Sequence, residues 1–387
     1  MKSGRAGNED KSCVLGIDLG TSSCKVCMVD VSGRFLSRAS CQYPTHVPRP
    51  GWAEQSAGDW LPAVAKTTKS LLERSAIGPA CVVAIAVSSA AHIGVLLDSH
   101  SNPLRHAILW YDQRAETEAR ELAATHGQEI FHTTGNWVSS TWTLPQLVWI
   151  RRYEPQTWSK VRFVLLSKDY LVFQLSGQMA TDPATALSSQ LYSAQDGTWA
   201  DPLCALAGLR PSMLPEVLSA TTIVGRLTAP AAKRLGLNSG IPVVNGTLDS
   251  AAETYGAGAV QPGDFLLRLA SAGGIHLVLD RARPHRRLIS YPHPIAPHWY
   301  AQAGTNACTT AIEWAMQTLG LAVEQSFADR DELAENIPLG ADGPGFTSIP
   351  TSRESAARTG TDAYGQVLWV PVLVTHRPTS CARPTRV

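Results

Sequence analysis

Three strand-like runs joined by tight turns open the chain and constrain its fold more than any other feature. Residues 13–19 (CVLGIDL), 25–31 and the stretch from Phe35 onward are the runs, and residues 20–23 (GTSS) and 32–34 are the turns. Tight turns between such runs predict an antiparallel meander. A helix is expected next, because Ser56 is a candidate N-cap, Asp59 follows three residues later and apolar residues recur with helical spacing over 60–72. A buried strand is predicted at 82–87.

The remainder of the chain repeats this alternation of helices and strands. Helices are predicted at about 115–126, 144–152, 169–175 and 229–235, and strands near 161–166 and 241–245. A second block then begins, with a helix at 248–258, strands at 265–269, 274–279 and 298–302, and a long helix at 305–319. Because this block restarts with a strand, a small-residue turn (ASAG) and a strand, the pattern favours an internal duplication of one α/β plan.

The charge balance points to a small ligand. The 387 residues include 33 Lys plus Arg and 32 Asp plus Glu, and 44% are hydrophobic, which leaves ample material for a core. A nearly neutral chain has no broad field to hold a phosphate backbone, so no nucleic acid partner is expected. No window approaches the roughly 18 apolar residues of a membrane span, and residues 1–12 lack the apolar stretch of a secretion signal. A cytoplasmic protein without membrane attachment is therefore expected.

The turn between the first two runs can hold an anion. Residues 16–23 (GIDLGTSS) combine glycines with three hydroxyl side chains and the carboxylate of Asp18. Backbone N–H groups and hydroxyls in such a turn can bind one phosphate, and a neighbouring carboxylate can hold a hydrated Mg²⁺. The P-loop pattern is absent, and a strand follows where the dinucleotide-binding turn would be followed by a helix. Judged on these residues alone, an ordinary hairpin turn is an equal alternative.

Six segments, in order along the chain, resemble the FGGY carbohydrate kinases of the actin, hexokinase and Hsp70 superfamily, and look most like xylulose kinases. They are GIDLGTSSCKV (16–26), GWAEQ (51–55) followed by Trp60, AAHIGVLLD (90–98), ILWYDQRAETE (108–118), LLSKDYLVFQLSG (165–177) and PVVNGTLDSAAETYGAG (242–258). The resemblance implies an α/β fold with two ribonuclease H-like domains of the actin/hexokinase ATPase type around a cleft, the second domain being incomplete. The expected parts are a tail at 1–12, a sugar- and phosphate-binding N-terminal domain at 13–245, a partial C-terminal domain at 246–346 and an aberrant tail at 347–387.

The resemblance implies that Asp249 is the catalytic base. In such kinases an aspartate at the start of the second domain takes the proton from the attacking sugar hydroxyl, and phosphoryl transfer otherwise needs positioning and charge neutralisation. The residues alone would favour a helix cap at Asp249.

The resemblance also implies the sugar contacts His92, Trp110, Asp112 and Arg114. His92 matches the histidine of the family's M-H pair, although Ala90 and Ala91 replace the residues usual before it. Trp110, Asp112 and Arg114 occupy the W-x-D-x-R segment, where Asp112 is expected to accept hydrogen bonds from ligand hydroxyls. An exposed ion pair that caps the following helix is the alternative for Asp112 and Arg114.

ATP and Mg²⁺ are the implied cofactors. The resemblance places Asp18 next to Mg²⁺ through water, and Gly20, Thr21, Ser22 and Lys25 near the phosphates. The family's second phosphate turn is represented by residues 269–273 (LASAG), in which Ser271 and Gly273 are the expected contacts. Ala270 in place of the usual glycine reduces backbone freedom there.

The resemblance stops near Phe346, before the family's adenosine-binding loop. Codons can be chosen for residues 347–370 such that the shifted triplets read KHPYLQGERSPYWDGCLRASFVG, which resembles the family's continuation. We therefore expect a frame change near Thr347, and the nucleotide sequence of the gene tests it directly.

These observations predict an ATP-dependent kinase that phosphorylates a hydroxyl of a ketopentose such as xylulose. One alternative is a catalytically impaired, sugar-binding remnant of such a kinase without the adenosine loop. A chaperone or filament ATPase of the same superfamily is disfavoured by the G-W-x-E-Q and W-x-D-x-R segments. The expected partner is a small-molecule sugar, and a homodimer is left open.

Overall fold

The computed structural model describes residues 12–75, 77–269, 273–305, 308, 347–348 and 368–369. Strands within these ranges are β1 (Cys13–Leu19), β2 (Ser23–Asp30), β3 (Phe35–Gln42), β4 (Glu54–Gln55), β5 (Val82–Ser89), β6 (Gly94–Leu97), β7 (Ala107–Ile108), β8 (Phe163–Leu166), β9 (Ala180–Thr181), β10 (Glu216–Val217), β11 (Ile223–Arg226), β12 (Pro242–Leu248), β13 (Phe265–Leu269), β14 (Gly273–Leu279), β15 (Ile289–Pro292), β16 (Trp299–Thr305), β17 (Thr347–Ser348) and β18 (Leu368–Trp369). The helices are α1 (Trp60–Ser75), α2 (Glu116–Thr134), α3 (Thr143–Tyr153), α4 (Pro155–Trp158), α5 (Ser167–Ser176), α6 (Pro183–Ser188), α7 (Asp201–Ala207), α8 (Ala229–Leu235) and α9 (Asp249–Gly256).

A six-stranded sheet in the order β11-β12-β5-β1-β2-β3 organises the N-terminal part of the chain. Strands β1, β2 and β3 pair antiparallel, which confirms the predicted meander. Strand β5 runs parallel to β1, and β12 runs parallel to β5. The sheet therefore has three adjacent parallel strands, whose carboxyl ends lie along one edge.

Alternating side chains of the sheet supply its core. Along β1, Cys13, Leu15, Ile17 and Leu19 are buried, while the residues between them are partly exposed. Helices α1, α5 and α8 contribute to the same buried cluster. Burial of one such aliphatic side chain stabilises the fold by about 1.5–3 kcal/mol, so the alternation fixes which face of β1 points inward.

A second buried cluster joins helices α2, α3 and α7. Its members include Ile130, Leu147 and Leu203, and the rings of Trp52 and Trp149 meet edge to face with centroids 5.2 Å apart. The Trp52 contact ties the GWAEQ segment to helix α3.

The chain divides into two compact units, residues 1–266 with 276–301 and residues 267–275 with 302–387. Strands β13, β14, β16 and β15 form a four-stranded sheet in that order. Within the second unit, β17 pairs antiparallel with β18. Across the described residues, no helix is both long and apolar enough to cross a membrane.

Most predicted elements are present with shifted ends. The predicted strands at 13–19 and 265–269 and the helix at 229–235 match the structure residue for residue. Ser56 occupies the N-cap position of a short 3₁₀-helix at 57–59 that leads into α1, but its side chain makes no capping bond. The strand predicted at 298–302 continues to Thr305, and the rest of the predicted helix at 305–319 lies outside the described residues, apart from residue 308.

Candidate active site

Three segments singled out in the sequence begin side by side at the carboxyl edge of the central sheet. Leu19 at the end of β1 lies opposite Ser89 of β5, and Ser89 lies opposite Leu248 of β12. Gly20, Ala90 and Asp249 are the next residues of these strands. The anion-binding turn predicted at residues 20–23 (the phosphate turn), the segment that contains His92 and the candidate base Asp249 therefore leave the sheet at one place. Ligands of open α/β sheets bind outside the carboxyl ends of parallel strands.

The phosphate turn is held by several hydrogen bonds. The Gly20 amide donates to the Ser23 carbonyl over 3.1 Å, and the Tyr43 hydroxyl donates to the Gly20 carbonyl. Burial raises the pKa of Tyr43, which keeps this hydroxyl protonated as a donor. The turn remains accessible, because Ser22 is exposed and Thr21 is partly exposed. An anion could therefore reach its backbone and hydroxyl donors without rearrangement of the sheet.

Asp18 and Lys25 face each other across the hairpin that carries the turn. They are register partners of β1 and β2, and Lys25 Nζ lies 3.3 Å from Asp18 Oδ2. The Ser88 hydroxyl donates to Asp18 Oδ1 over 3.3 Å. The Asp18 side chain is 34% exposed, so its carboxylate can still contact a ligand.

The residues around Asp18 fit a magnesium ion that is held mainly by water and phosphate oxygens. Mg²⁺ commonly binds proteins through one or two carboxylates and keeps several waters. Among the residues that the structure describes, no group of three or more His, Cys, Asp or Glu side chains could form a closed metal site. A single carboxylate beside a phosphate turn is the arrangement expected for a metal that arrives with a nucleotide.

Trp110 and Gln55 tie the phosphate turn to the neighbouring segments. The Trp110 indole N–H donates to Thr21 Oγ1 over 3.1 Å, and Gln55 Nε2 donates to the Thr21 carbonyl over 2.5 Å. Gln55 Oε1 in turn accepts from the Trp60 indole at 3.3 Å. The structure thus places Trp110 at the phosphate turn, and its expected contact with the sugar stays a prediction.

Asp112 and Arg114 form a buried ion pair. Arg114 Nε and Nη2 donate to the two oxygens of Asp112 over 2.9 and 2.7 Å, and the Ala53 amide donates to Oδ2 over 2.5 Å. Arg114 Nη1 also donates to Glu54 Oε1. Neither the Asp112 nor the Arg114 side chain is exposed. The ion pair that was considered as the alternative role of these residues therefore exists, but it is buried and not exposed. A direct bond from Asp112 to a sugar hydroxyl would require one of its present donors to leave.

His92 is buried beside the same edge, and both ring nitrogens have partners. Nδ1 lies 2.8 Å from the Ser188 carbonyl and therefore carries the proton, because a carbonyl can only accept. Nε2 is then the acceptor for the Tyr291 hydroxyl, 3.2 Å away. The ring meets Trp142 edge to face with centroids 4.5 Å apart. A sugar that binds His92 at Nε2 would take the place of the Tyr291 hydroxyl.

Asp249 is the first residue of α9 rather than its N-cap, a position that Leu248 occupies. Its Oδ1 accepts from the Ser250 amide over 2.7 Å, so part of the expected capping role is present. The side chain of Asp249 is only partly buried. A carboxylate here can accept a proton from a hydroxyl bound at the sheet edge.

The second phosphate turn is described only in part. Ser271 lies outside the described residues, and Gly273 is the first residue of β14. The roles expected for both residues stay predictions, as do the predicted domain boundaries.

Comparison with models of protein families identifies the family of this chain. Residues 13–256 match the model of the FGGY family of carbohydrate kinases, N-terminal domain. The chain belongs to the FGGY family of carbohydrate kinases. Members of this family transfer a phosphoryl group to an alcohol, and the resemblance stated from the sequence is thereby confirmed.

Individual FGGY kinases extend the match beyond the N-terminal domain. The xylulose kinase of Staphylococcus epidermidis is 29% identical over 344 residues, which cover 87% of this chain and 67% of the relative. The xylulose kinase of Escherichia coli K12 is 29% identical over 329 residues, which cover 84% of this chain and 67% of the relative. The crystal structure of xylulose kinase from Rhodospirillum rubrum matches with a TM-score of 0.80 and 30% identity over 87% of this chain and 69% of that one. The fold is thus the actin/hexokinase-like ATPase fold of FGGY kinases, and the chain spans about two thirds of these relatives' lengths.

Several residues of this FGGY kinase site were not assigned from the sequence. Glu54, Gln55 and Lys168 lie within the quoted segments, whereas Tyr291 lies in none of them. The charged pair Lys168-Asp169 inside the largely apolar run LLSKDYLVF was an available signal for Lys168. Tyr291 gave no local signal, because its contact with His92 joins residues 199 positions apart.

Proposed function

We propose that this FGGY kinase transfers the γ-phosphoryl group of ATP to a hydroxyl of a ketopentose such as xylulose. The observation that carries the proposal is the register of Leu19, Ser89 and Leu248, which brings the phosphate turn, the His92 segment and Asp249 to one edge of the sheet. The similarity to xylulose kinases supports the choice of a ketopentose.

In the proposed reaction, Asp249 accepts the proton of the attacking hydroxyl. Its partly buried carboxylate stands at the start of a helix whose first turn packs through buried Ala251. The Gly20 to Ser22 turn, with Lys25 nearby, orients the phosphates. Mg²⁺ held through water by Asp18 would neutralise the charge that develops on the transferred group. Positioning and charge neutralisation of this kind account for most catalysis of phosphoryl transfer.

The sugar is expected beside His92 and Trp110. Ala90 and Ala91 present only methyl groups in the segment before His92, which leaves more room and fewer donors than larger polar side chains would. Specificity among ketopentoses then depends on the hydroxyl that meets His92 Nε2 in place of Tyr291.

The test is a coupled assay of ADP release by the full chain, supplied with MgATP and one acceptor from a panel of xylulose, ribulose, xylose, gluconate and glycerol. Calorimetry measures the binding of each acceptor in the presence and absence of MgATP. We expect turnover with a ketopentose. Asp249→Asn should lower kcat by about 10²–10⁴-fold, the contribution of a general base, and leave sugar affinity nearly unchanged. Asp201→Asn, at an exposed helix start, is the matched control.

Two results would contradict the proposal. Sugar binding without transfer would support the alternative of a sugar-binding remnant, in which ATP binds too weakly to sustain turnover. Equal loss of sugar binding and turnover in Asp249→Asn would make Asp249 a substrate clamp instead of a base.

A further inference from the structure

Lys168 is a completely buried cation at the N-terminal end of α5. Its Nζ donates to the backbone carbonyl and to Oδ1 of Asn245, each over 3.0 Å. Two carboxylates lie beside it, since Nζ is 2.9 Å from Asp169 Oδ1 and 3.6 Å from Asp182 Oδ1. Desolvation makes such a group expensive, and a well-packed apolar residue would often be as stable. Its presence therefore calls for a reason other than stability.

The residues that Lys168 holds form a bulge in β12. Val244 lies opposite Ala86 of β5, but Thr247 lies opposite Ser88, so three steps on β12 match two on β5. The extra residue is accommodated at Asn245 and Gly246, where Gly246 has a φ of 75°. Bulges of this kind redirect the end of a strand and often lie next to active sites.

The bulge is also fixed from its other side. Asn245 Nδ2 donates to the carbonyls of Thr181, Leu218 and Ser219 over 2.8, 3.0 and 3.2 Å. All hydrogen-bonding atoms of the Asn245 side chain thus have partners. The position of Asn245 leaves little freedom for the strand that follows.

The same network continues to the residue two positions before Asp249. Thr247 Oγ1 donates to Asp182 Oδ2 over 2.7 Å, and Asp182 is one of the two carboxylates beside Lys168. From Lys168 the contacts therefore reach both Asn245 and Thr247. Only Leu248 then separates this anchored strand end from Asp249.

We infer that Lys168 is a positioning residue for Asp249, because it fixes the Asn245–Gly246 bulge and, through Asp182 and Thr247, the strand end from which α9 begins. Lys168 does not touch the substrate and acts on the carboxylate of Asp249 only through the backbone. The inference rests on the proposed function, in which Asp249 is the base. A misplacement of about 1 Å can lower a rate about a hundredfold, so the anchor is expected to appear in kcat.

Two variants of the full chain test this positioning role. Lys168→Met removes the cation but leaves Asp169 and Asp182 buried without it, which can prevent folding. Thr247→Val keeps the side-chain shape and removes only the bond to Asp182, and Thr247→Ser restores the hydroxyl. The matched control is Thr68→Val, because Thr68 is also buried and bonds only within helix α1, to the Val64 carbonyl.

The first measurement is kcat and KM for the ketopentose at a temperature where every variant is folded. Thr247→Val should lower kcat about tenfold or more with little change in KM. Thr247→Ser should recover most of this kcat, and Thr68→Val should keep the kcat of the unmodified chain. Unchanged kcat in folded Thr247→Val and Lys168→Met would overturn the inference. So would an equal loss in Thr68→Val.

The second measurement is hydrogen exchange of peptides that cover residues 243–256. The inference predicts faster exchange there in Thr247→Val and Lys168→Met, beyond any change across the rest of the chain. Unchanged or uniformly raised exchange would overturn it. If the unmodified chain shows no kinase activity, the proposed function fails, and the exchange result alone decides whether Lys168 fixes the position of Asp249.

Discussion

Arg114 binds both carboxylate oxygens of Asp112, and neither side chain reaches solvent. The guanidinium also lies over the Trp52 ring, 3.9 Å from its centroid. Burial alone would lower the pKa of Arg114, but the carboxylates of Asp112 and Glu54 raise it above its ordinary value. The pair joins the W-x-D-x-R segment to the GWAEQ segment, and both segments contact the phosphate turn.

Arg114→Met should therefore destabilise the fold by about 3–5 kcal/mol, because it leaves the Asp112 carboxylate buried without its cation. Arg120→Met is the control, since the Arg120 side chain is 74% exposed and its pair with Glu116 has a 3.5 Å separation. That control should cost about 1 kcal/mol or less. Urea unfolding at neutral pH measures both, and equal midpoints would contradict the assigned importance of the buried pair.

Gly246 leaves no room for a side chain. A Cβ added there would lie 1.8 Å from the Val87 carbonyl oxygen, so Gly246→Ala must separate β12 from β5. Gly240 is the matched control, because its φ is also positive, at 84°, but a Cβ there would meet nothing within 4 Å. We expect Gly246→Ala to cost at least about 1–3 kcal/mol more than Gly240→Ala. Equal unfolding free energies would mean that the bulge relaxes freely.

The sequence predicted the strands and helices whose patterns are local. Strand β1 alternates buried and partly exposed residues, and helix α1 repeats apolar residues with helical spacing, so both were visible without tertiary information. The resemblance to a kinase family added the site residues that follow the strand ends. The register that brings Leu19, Ser89 and Leu248 together was not visible, because it is set by pairing between segments more than 60 residues apart.

Partners of buried polar groups were harder to predict. Asp112 was expected to face a ligand, yet its oxygens are bound by Arg114 and the Ala53 amide. Lys168 and Asn245 received no role, because a sequence pattern does not show which distant carbonyl or carboxylate will meet a buried amine. Such networks depend on precise packing in three dimensions, which hydrophobic periodicity does not encode.

Stability should fall as the pH is lowered through the ordinary pKa of histidine. His293 Nδ1 lies 3.1 Å from the Ile295 amide, from which it can only accept, and Nε2 lies 3.1 Å from the Ala259 carbonyl. This arrangement fits the neutral ring, and burial lowers the pKa of His293 below its ordinary 6.5. Because the unfolded chain binds the proton more readily, the stabilisation is present above about pH 6.5 and is lost as the pH falls toward the lower folded pKa.

His293→Gln should flatten this dependence between about pH 5 and 7. Urea unfolding of both proteins across that range measures the slope. Exposed His100→Gln is the control, and it should keep the slope of the unmodified chain. If His293→Gln also keeps the full slope, another group is responsible for it.

His92 and Tyr291 meet at the proposed sugar site, and substitution of each should affect sugar binding differently. His92→Ala should weaken ketopentose binding by about 1–3 kcal/mol, the range for loss of a hydrogen bond to a buried polar group. Tyr291→Phe removes only the hydroxyl that now donates to His92 Nε2, 3.2 Å away, so a sugar hydroxyl no longer has to displace it. Tyr291→Phe should therefore leave sugar affinity unchanged or raise it. Calorimetry with the preferred ketopentose measures both affinities, and unfolding is measured in parallel. If both variants lose affinity equally, the His92–Tyr291 pair acts as one structural unit. Unchanged affinity in His92→Ala would remove His92 from the site.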